Sequence, residues 1–175
     1  MSRAWLGPLD QIGYLVDNLE AGVQRWQRHF GLGPWTVFRN VSMQGRYRGE
    51  PVTVTMDVGL AYQGSVQIEL IQVTNASPSP YRDAQGRALN GMHHMAWVVE
   101  DLEQTVARLQ AGGLQVVFEA ANAASKVAYL EDPAEPGVLY EVIHGAAMRE
   151  MIRQGIAAAR DWDGLNPVQE IDLAQ

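Results

Sequence analysis

Apolar positions along the chain recur first at strand spacing and then at helical spacing, and they do so twice. Residues 11–25, QIGYLVDNLEAGVQR, lie over residues 94–108, HMAWVVEDLEQTVAR, so that Val16 and Val99, Leu19 and Leu102, Glu20 and Glu103, Val23 and Val106, and Arg25 and Arg108 coincide. General likeness between amphipathic helices accounts for the second half of that match but not for the strand half, so the pattern reads as an internal duplication. In each copy a polar pair, Asp17-Asn18 or Glu100-Asp101, stands where a helix N-cap is wanted. Leu19, Val23 and Trp26, and likewise Leu102, Val106 and Leu109, then fall on one helical face. Gly31 and Gly33 stop the first helix, Gly112 and Gly113 the second.

Runs that alternate or stay apolar follow each helix: residues 35–38, 52–62 and 65–73 in the first half, 114–119, 126–130 and 138–144 in the second. Each half therefore reads as βαβββ, over residues 7–73 and 91–147, which makes the fold class α+β. Residues 74–90, rich in Ser, Pro, Gly and Asn, form the connection between the two modules. In the tail, residues 148–175, Met148, Met151, Ile152 and Ile156 mark one face of a C-terminal helix, and the stretch from Trp162 to Pro167 ends it. A packing role is expected for that helix, with a lid over a pocket as the second reading.

Side chains alternate across a strand, so the face that begins at Gln11 continues with Gly13 and Leu15, and the face that begins at His94 continues with Ala96 and Val98. A polar residue followed by a very small one suits a cavity with a polar floor. The opposite faces, Ile12, Tyr14 and Val16, and Met95, Trp97 and Val99, are bulky enough to pack on the helix that follows. The last strand of each module carries one carboxylate among apolar residues, Glu69 and Glu141. A lone carboxylate there either turns to water or has a charged partner or a metal. The equivalent placement of the two, each at the end of a module that opens on Gln11 or His94, favours a symmetric functional set.

Composition narrows the chemistry. A chain of 175 residues, 47% of them hydrophobic, is long enough for one ordinary core. The net charge of -7 argues against nucleic-acid and anionic-membrane partners, which need clustered Lys and Arg. The absence of cysteine excludes disulfides, thiolate metal sites and cysteine nucleophiles, so any metal must take His, carboxylate or amide ligands. With no signal-like or membrane-length apolar run in the sequence, a cytoplasmic protein is expected.

The duplicated βαβββ pattern, with Gln11 or His94 opening the first strand of a module and Glu69 or Glu141 in its last, resembles the vicinal oxygen chelate superfamily. Glyoxalase I, methylmalonyl-CoA epimerase, extradiol dioxygenases and bleomycin-resistance proteins belong to it. The resemblance spans residues 7–147 and implies a cupped mixed sheet with a metal site on its concave face. It implies Gln11, Glu69, His94 and Glu141 as ligands of a divalent ion, with His93 on the other side of the strand end as a rim or structural residue. One imidazole and three oxygens suit Zn, Ni, Co, Mn or Fe.

Neighbouring residues separate the members in part. Glyoxalase I shares this ligand set, yet its glutathione-contacting Arg and Asn are replaced here by Leu15 and Val73. Residues 91–117, GMHHMAWVVEDLEQTVARLQAGGLQVV, look more like methylmalonyl-CoA epimerase, although epimerases carry His at the place of Gln11 and Gln at the place of Glu69. The expectation is a metal-dependent lyase or isomerase that removes a proton beside the carbonyl of a small substrate, with Glu141 as first candidate base and Glu69 as second. Arg46, Arg48 and Lys126 are the cations on offer to the phosphates of an acyl-CoA. The alternatives are a lactoylglutathione lyase, a non-catalytic binding protein of the bleomycin-resistance kind and, last, an extradiol dioxygenase. The superfamily's habit of pairing implies a homodimer.

Overall fold

A computed structural model describes residues 4–174. The first module runs β1 (Gln11–Leu15), α1 (Leu19–Phe30), β2 (Trp35–Tyr47), β3 (Glu50–Gln63) and β4 (Val66–Val73). The second repeats it with β5 (Gly91–Val98), α2 (Leu102–Ala111), β6 (Gln115–Ala121), β7 (Lys126–Glu131) and β8 (Leu139–His144). The tail forms α3 (Met148–Arg160) and β9 (Val168–Asp172). Of each polar pair, the second residue is the cap: Asn18 accepts from the Ala21 N–H and Asp101 from the Gln104 N–H. Gly31 and Gly112 close the two helices as expected.

All nine strands belong to one mixed sheet in the order β3-β4-β1-β5-β8-β7-β6-β2-β9. Because β2 also pairs with β3, while Gln44–Tyr47 of the same strand pairs with Phe118–Ala121 of β6, the sheet curls into a barrel-like cup that closes on itself. At the other end of β2 the place of β6 is taken by β9, which runs parallel to Trp35–Arg39. The seam between β2 and β6 thus pairs strand edges that would otherwise be open.

Two strands differ from the sequence expectation. β2 continues past Phe38 through a register shift between Phe38 and Val41, where Asn40 takes φ 58. Arg39-Asn40, just past the expected run of residues 35–38, is a bulge that lets the ladder resume. β9 was not expected at all; its five residues are exposed, so no apolar alternation marks them. The Arg39 guanidinium fastens it by reaching Glu170 at 3.0 Å, Asp57 at 3.0 Å and Glu20 at 2.6 Å.

The cup separates two kinds of core. Outside it, α1 packs Leu19 and Val23 on Trp35, Val37, Ala61, Ile68 and Leu70, and α2 packs Val106 on Ala128, Leu130 and Val142. Inside, Met43, Val54, Met56, Val58, Phe118 and Tyr129 make an apolar lining. The connection contributes Tyr81 to that lining and buries Ser79 and Pro80, so it is built into the interior as well as joining the modules. α3 lays Ile152, with Met148 and Ile156 beside it, against Tyr62, Ala96, Val98 and Ile143, whose side chains face into the cup. Arg149 ties the helix down, donating to Asp10 at 2.5 Å and to the Val98 carbonyl at 2.5 Å.

Candidate metal centre

Four neighbouring strands, β4, β1, β5 and β8, each turn one polar side chain inward at the same level of the cup. Cross-strand register does this: Gly13 lies opposite both Glu69 and His94, and Ala96 lies opposite both Gln11 and Glu141. The small residues foreseen on the inner face, Gly13 and Ala96, are the ones that leave the room. A β-carbon on Gly13 would stand 2.0 Å from His94 Cε1, so only glycine lets the imidazole lie across β1.

The three oxygen-bearing side chains converge on a single nitrogen. His94 Nε2 is 3.0 Å from Glu141 Oε2, 3.3 Å from Glu69 Oε2 and 3.3 Å from Gln11 Oε1. Glu69, His94 and Glu141 all offer ligand atoms within 4.8 Å of one another. The cluster is sealed: the His94 side chain is 0% exposed, that of Glu141 5% and that of Glu69 15%.

Electrostatics follow from that burial. Enclosure alone would push the His94 imidazolium down, but the charges and contacts of Glu141 and Glu69 outweigh it and hold its pKa up at about 9. Enclosure raises the pKa of Glu141, with His94 pulling the other way and Glu69 adding to the rise. Although Glu141 Oε2 lies 3.0 Å from the ring nitrogen, the alignment is not that of a hydrogen bond, and among the described residues this buried atom has no hydrogen-bond partner. An orphaned carboxylate oxygen, a second carboxylate, an amide oxygen and one imidazole nitrogen around one point are a donor set that fits a divalent cation.

His93 departs from the expectation that it lies on the other side of the strand end. The β1–β5 register shifts so that Gly13 pairs with His94 and Tyr14 with Met92, leaving His93 as the extra residue of a bulge. It is turned inward and buried, with Nδ1 2.9 Å from His94 Nδ1 and Nε2 2.9 Å from the Pro80 carbonyl oxygen. Burial, and then the neighbouring His94 charge, lower its pKa to about 3. The rings of Tyr81 and Tyr129 stand 5.1 and 5.8 Å from it.

Other contributors were not singled out in the sequence. Gln11 Nε2 donates to Gln67 Oε1 at 2.7 Å, and Gln67 Nε2 donates to the Tyr62 hydroxyl at 2.5 Å. Only the parallel pairing of Gln11 with Gln67 brings these amides together, and period-two spacing from Glu69 is the one sequence signal that puts Gln67 on the inner face. A cavity of about 470 Å³ opens near the start of β5, lined by Leu15, Tyr47, Pro80, Met92, Leu139 and others, and it touches His93 without touching the four converging residues. Arg48 sits on its rim, paired with Glu131 at 3.2 Å. Lys126 lines a separate hollow with Glu100, Asp101 and Glu103, and Arg46 donates to the Gly49 carbonyl, so the three cations do not gather at one place.

Comparison with known proteins follows the geometry. The sequence model of the Glyoxalase/Bleomycin resistance protein/Dioxygenase superfamily matches residues 10–129. The chain belongs to that superfamily. Among solved structures, methylmalonyl-CoA epimerase from Mycobacterium tuberculosis aligns with a TM-score of 0.56 at 21% identity, over 86% of this chain and 97% of that one. A variant of the Streptomyces coelicolor epimerase, in complex with 2-nitronate-propionyl-CoA, aligns at 0.52 and 19% identity, over 80% and 95%. A hypothetical protein from Bacillus halodurans C-125 aligns at 0.56 and 21%, over 78% and 93%. At these identities the likeness carries the superfamily fold. Among curated proteins none matches the sequence significantly. No helix of the described residues is long and apolar enough to cross a membrane.

Proposed function

We propose that this superfamily member is a metal-dependent lyase or isomerase that removes a proton from the carbon beside a substrate carbonyl. The observation that carries the reading is the convergence of Glu69, Glu141 and Gln11 oxygens on His94 Nε2 at 3.0–3.3 Å. A divalent ion held by these four residues, when bound, supplies a Lewis acid that polarises a carbonyl oxygen. The rest is the work of the chain. Glu141 takes the proton: the C–H bond breaks, its electron pair stays on the substrate as an enolate, and the proton moves to the carboxylate. Enclosure raises the proton affinity of Glu141 and a bound cation would lower it, so the carboxylate serves as a base when it loosens from the ion. Return of the proton to the other face gives an epimer, and return to another atom gives an isomer. Glu69 is the second carboxylate on the same point and the candidate partner for the return.

The substrate is a small carbonyl compound, and an acyl-CoA is one candidate, supported by the acyl-CoA analogue bound to an epimerase of this fold. For such a substrate Arg48, on the rim of the cavity of about 470 Å³, is the best-placed cation.

The test is solvent exchange. Metal-loaded protein should exchange the α-proton of a small carbonyl substrate, such as an acyl-CoA, for deuterium, and Glu141→Gln should lower that rate by at least about a hundredfold while retaining metal. Glu69→Gln should be milder. Wild-type rates in both variants overturn the assignment of the base. A second reading, a non-catalytic small-molecule-binding protein, draws on the cavity that touches His93 and none of the four converging residues; tight ligand binding with no exchange in the metal-loaded wild type is its signature.

A further inference from the structure

We infer that His93, braced by the Pro80 carbonyl, is a positioning residue that fixes the His94 imidazole with an N–H at Nδ1, leaving Nε2, which faces Glu69, Glu141 and Gln11, as the nitrogen a metal ion can take. The inference deepens the metal reading and rests on it only for the affinity measurement below.

The hydrogen bonds leave one assignment. A carbonyl oxygen accepts and cannot donate, so the 2.9 Å contact between His93 Nε2 and Pro80 O places a proton on that nitrogen. Among the described residues no carboxylate lies within ion-pair distance of His93, and aromatic rings of Tyr81 and Tyr129 flank it, so a charged ring has nothing to hold it there. A neutral imidazole has one N–H, and with that on Nε2 its Nδ1 is an acceptor. His94 Nδ1, 2.9 Å away, must then be the donor. The proton of a neutral His94 is thereby held at Nδ1, and its Nε2 keeps a free lone pair.

A second relay closes the other side. The Gln11 amide nitrogen is engaged by Gln67 Oε1, and the Gln67 nitrogen by the Tyr62 hydroxyl, so the Gln11 oxygen is what faces His94. Nε2 therefore looks onto two carboxylate oxygens and an amide oxygen, all acceptors, with a lone pair of its own. Four acceptors at this spacing repel unless a proton or a metal cation lies among them. Through His93 and Gln67 the fold thus turns four acceptor atoms toward one point, where a metal ion can take the place of the proton on Nε2. The bulge at β5 has a purpose on this account: without the extra residue, alternation would send His93 outward and leave His94 Nδ1 facing the cup with no acceptor.

The test combines spectroscopy with affinity. Long-range ¹H–¹⁵N correlation spectra of histidine-labelled protein should show His93 neutral with its proton on Nε2, with and without Zn²⁺, and the Zn²⁺ form should show His94 protonated at Nδ1. His93→Phe keeps an aromatic ring but removes the acceptor, and should weaken Zn²⁺ binding by at least about tenfold, the usual cost of losing an outer partner of a metal-bound histidine. His93→Asn, whose amide oxygen can take the place of Nδ1, should recover most of that loss. A His93 proton on Nδ1, or wild-type Zn²⁺ affinity in the Phe variant with unchanged His94 signals, overturns the inference. If the wild type binds no Zn²⁺ at all, the metal reading falls by itself, while the His93 tautomer in the metal-free spectrum still decides whether the relay exists.

Discussion

At Gly13 a single β-carbon would collide with the His94 ring. The His94 ring occupies the space where that carbon would be, 2.0 Å from Cε1 and 2.4 Å from Nε2, and the ring cannot retreat because its other nitrogen is held by His93. Gly13→Ala is therefore expected to cost about 1–3 kcal/mol of overpacking and to weaken Zn²⁺ binding by at least about tenfold. Urea denaturation and Zn²⁺ titration of the same samples read both, and an Ala variant with native stability and affinity contradicts this packing account. At this scale the sequence was legible where period two held without interruption. Gln11 and Gly13, and His94 and Ala96, share inner faces as the alternation implies. His93 was misplaced because a bulge adds one residue without leaving a mark in the residue types. Gln67 and Tyr62 stayed hidden because their role depends on register between strands far apart in the chain.

Among the elements, α3 and the connection decide how closed the cup is. α3 covers Tyr62, Val98 and Ile143, and its polar anchor is Arg149 on Asp10, a carboxylate 6% exposed that also accepts from the Val98 N–H. Arg149→Met keeps the apolar stem but strands Asp10 with one donor fewer. Because the Arg149 side chain is 52% exposed, water screens the pair, and the loss should be only about 1 kcal/mol. Hydrogen exchange should then quicken in residues 148–160 while the amides of β1 and β5 keep their protection; equal loss of protection in β1 would mean that α3 and the barrel open as one unit. The helix itself was legible from Met148, Ile152 and Ile156. The strand after it was not, since β9 is held by backbone pairing and by Arg39, and neither leaves an apolar pattern. Composition likewise marked residues 74–90 as a connection but could not reveal that Tyr81 inserts among Phe118, Tyr129 and His93.

For the molecule as a whole, duplication did most of the specifying. Two βαβββ modules place β1 beside β5 in antiparallel register, and that one pairing brings the polar ends of both modules to the same level of the cup. The superfamily match and the epimerase folds agree with that architecture. The closed seam between β2 and β6 could not be foreseen, because it depends on the unannounced continuation of β2 past Asn40. On the proposed reading the whole arrangement holds one cation between two carboxylates, an amide and an imidazole, a stoichiometry open to measurement. Its most direct measurement is the metal content of purified, reconstituted protein by elemental mass spectrometry, with His94→Ala beside it and folding checked by circular dichroism. A single divalent ion per chain in the wild type, largely lost in the variant, is the predicted result; a folded wild type that retains no ion, or an Ala variant that retains it in full, would contradict the account.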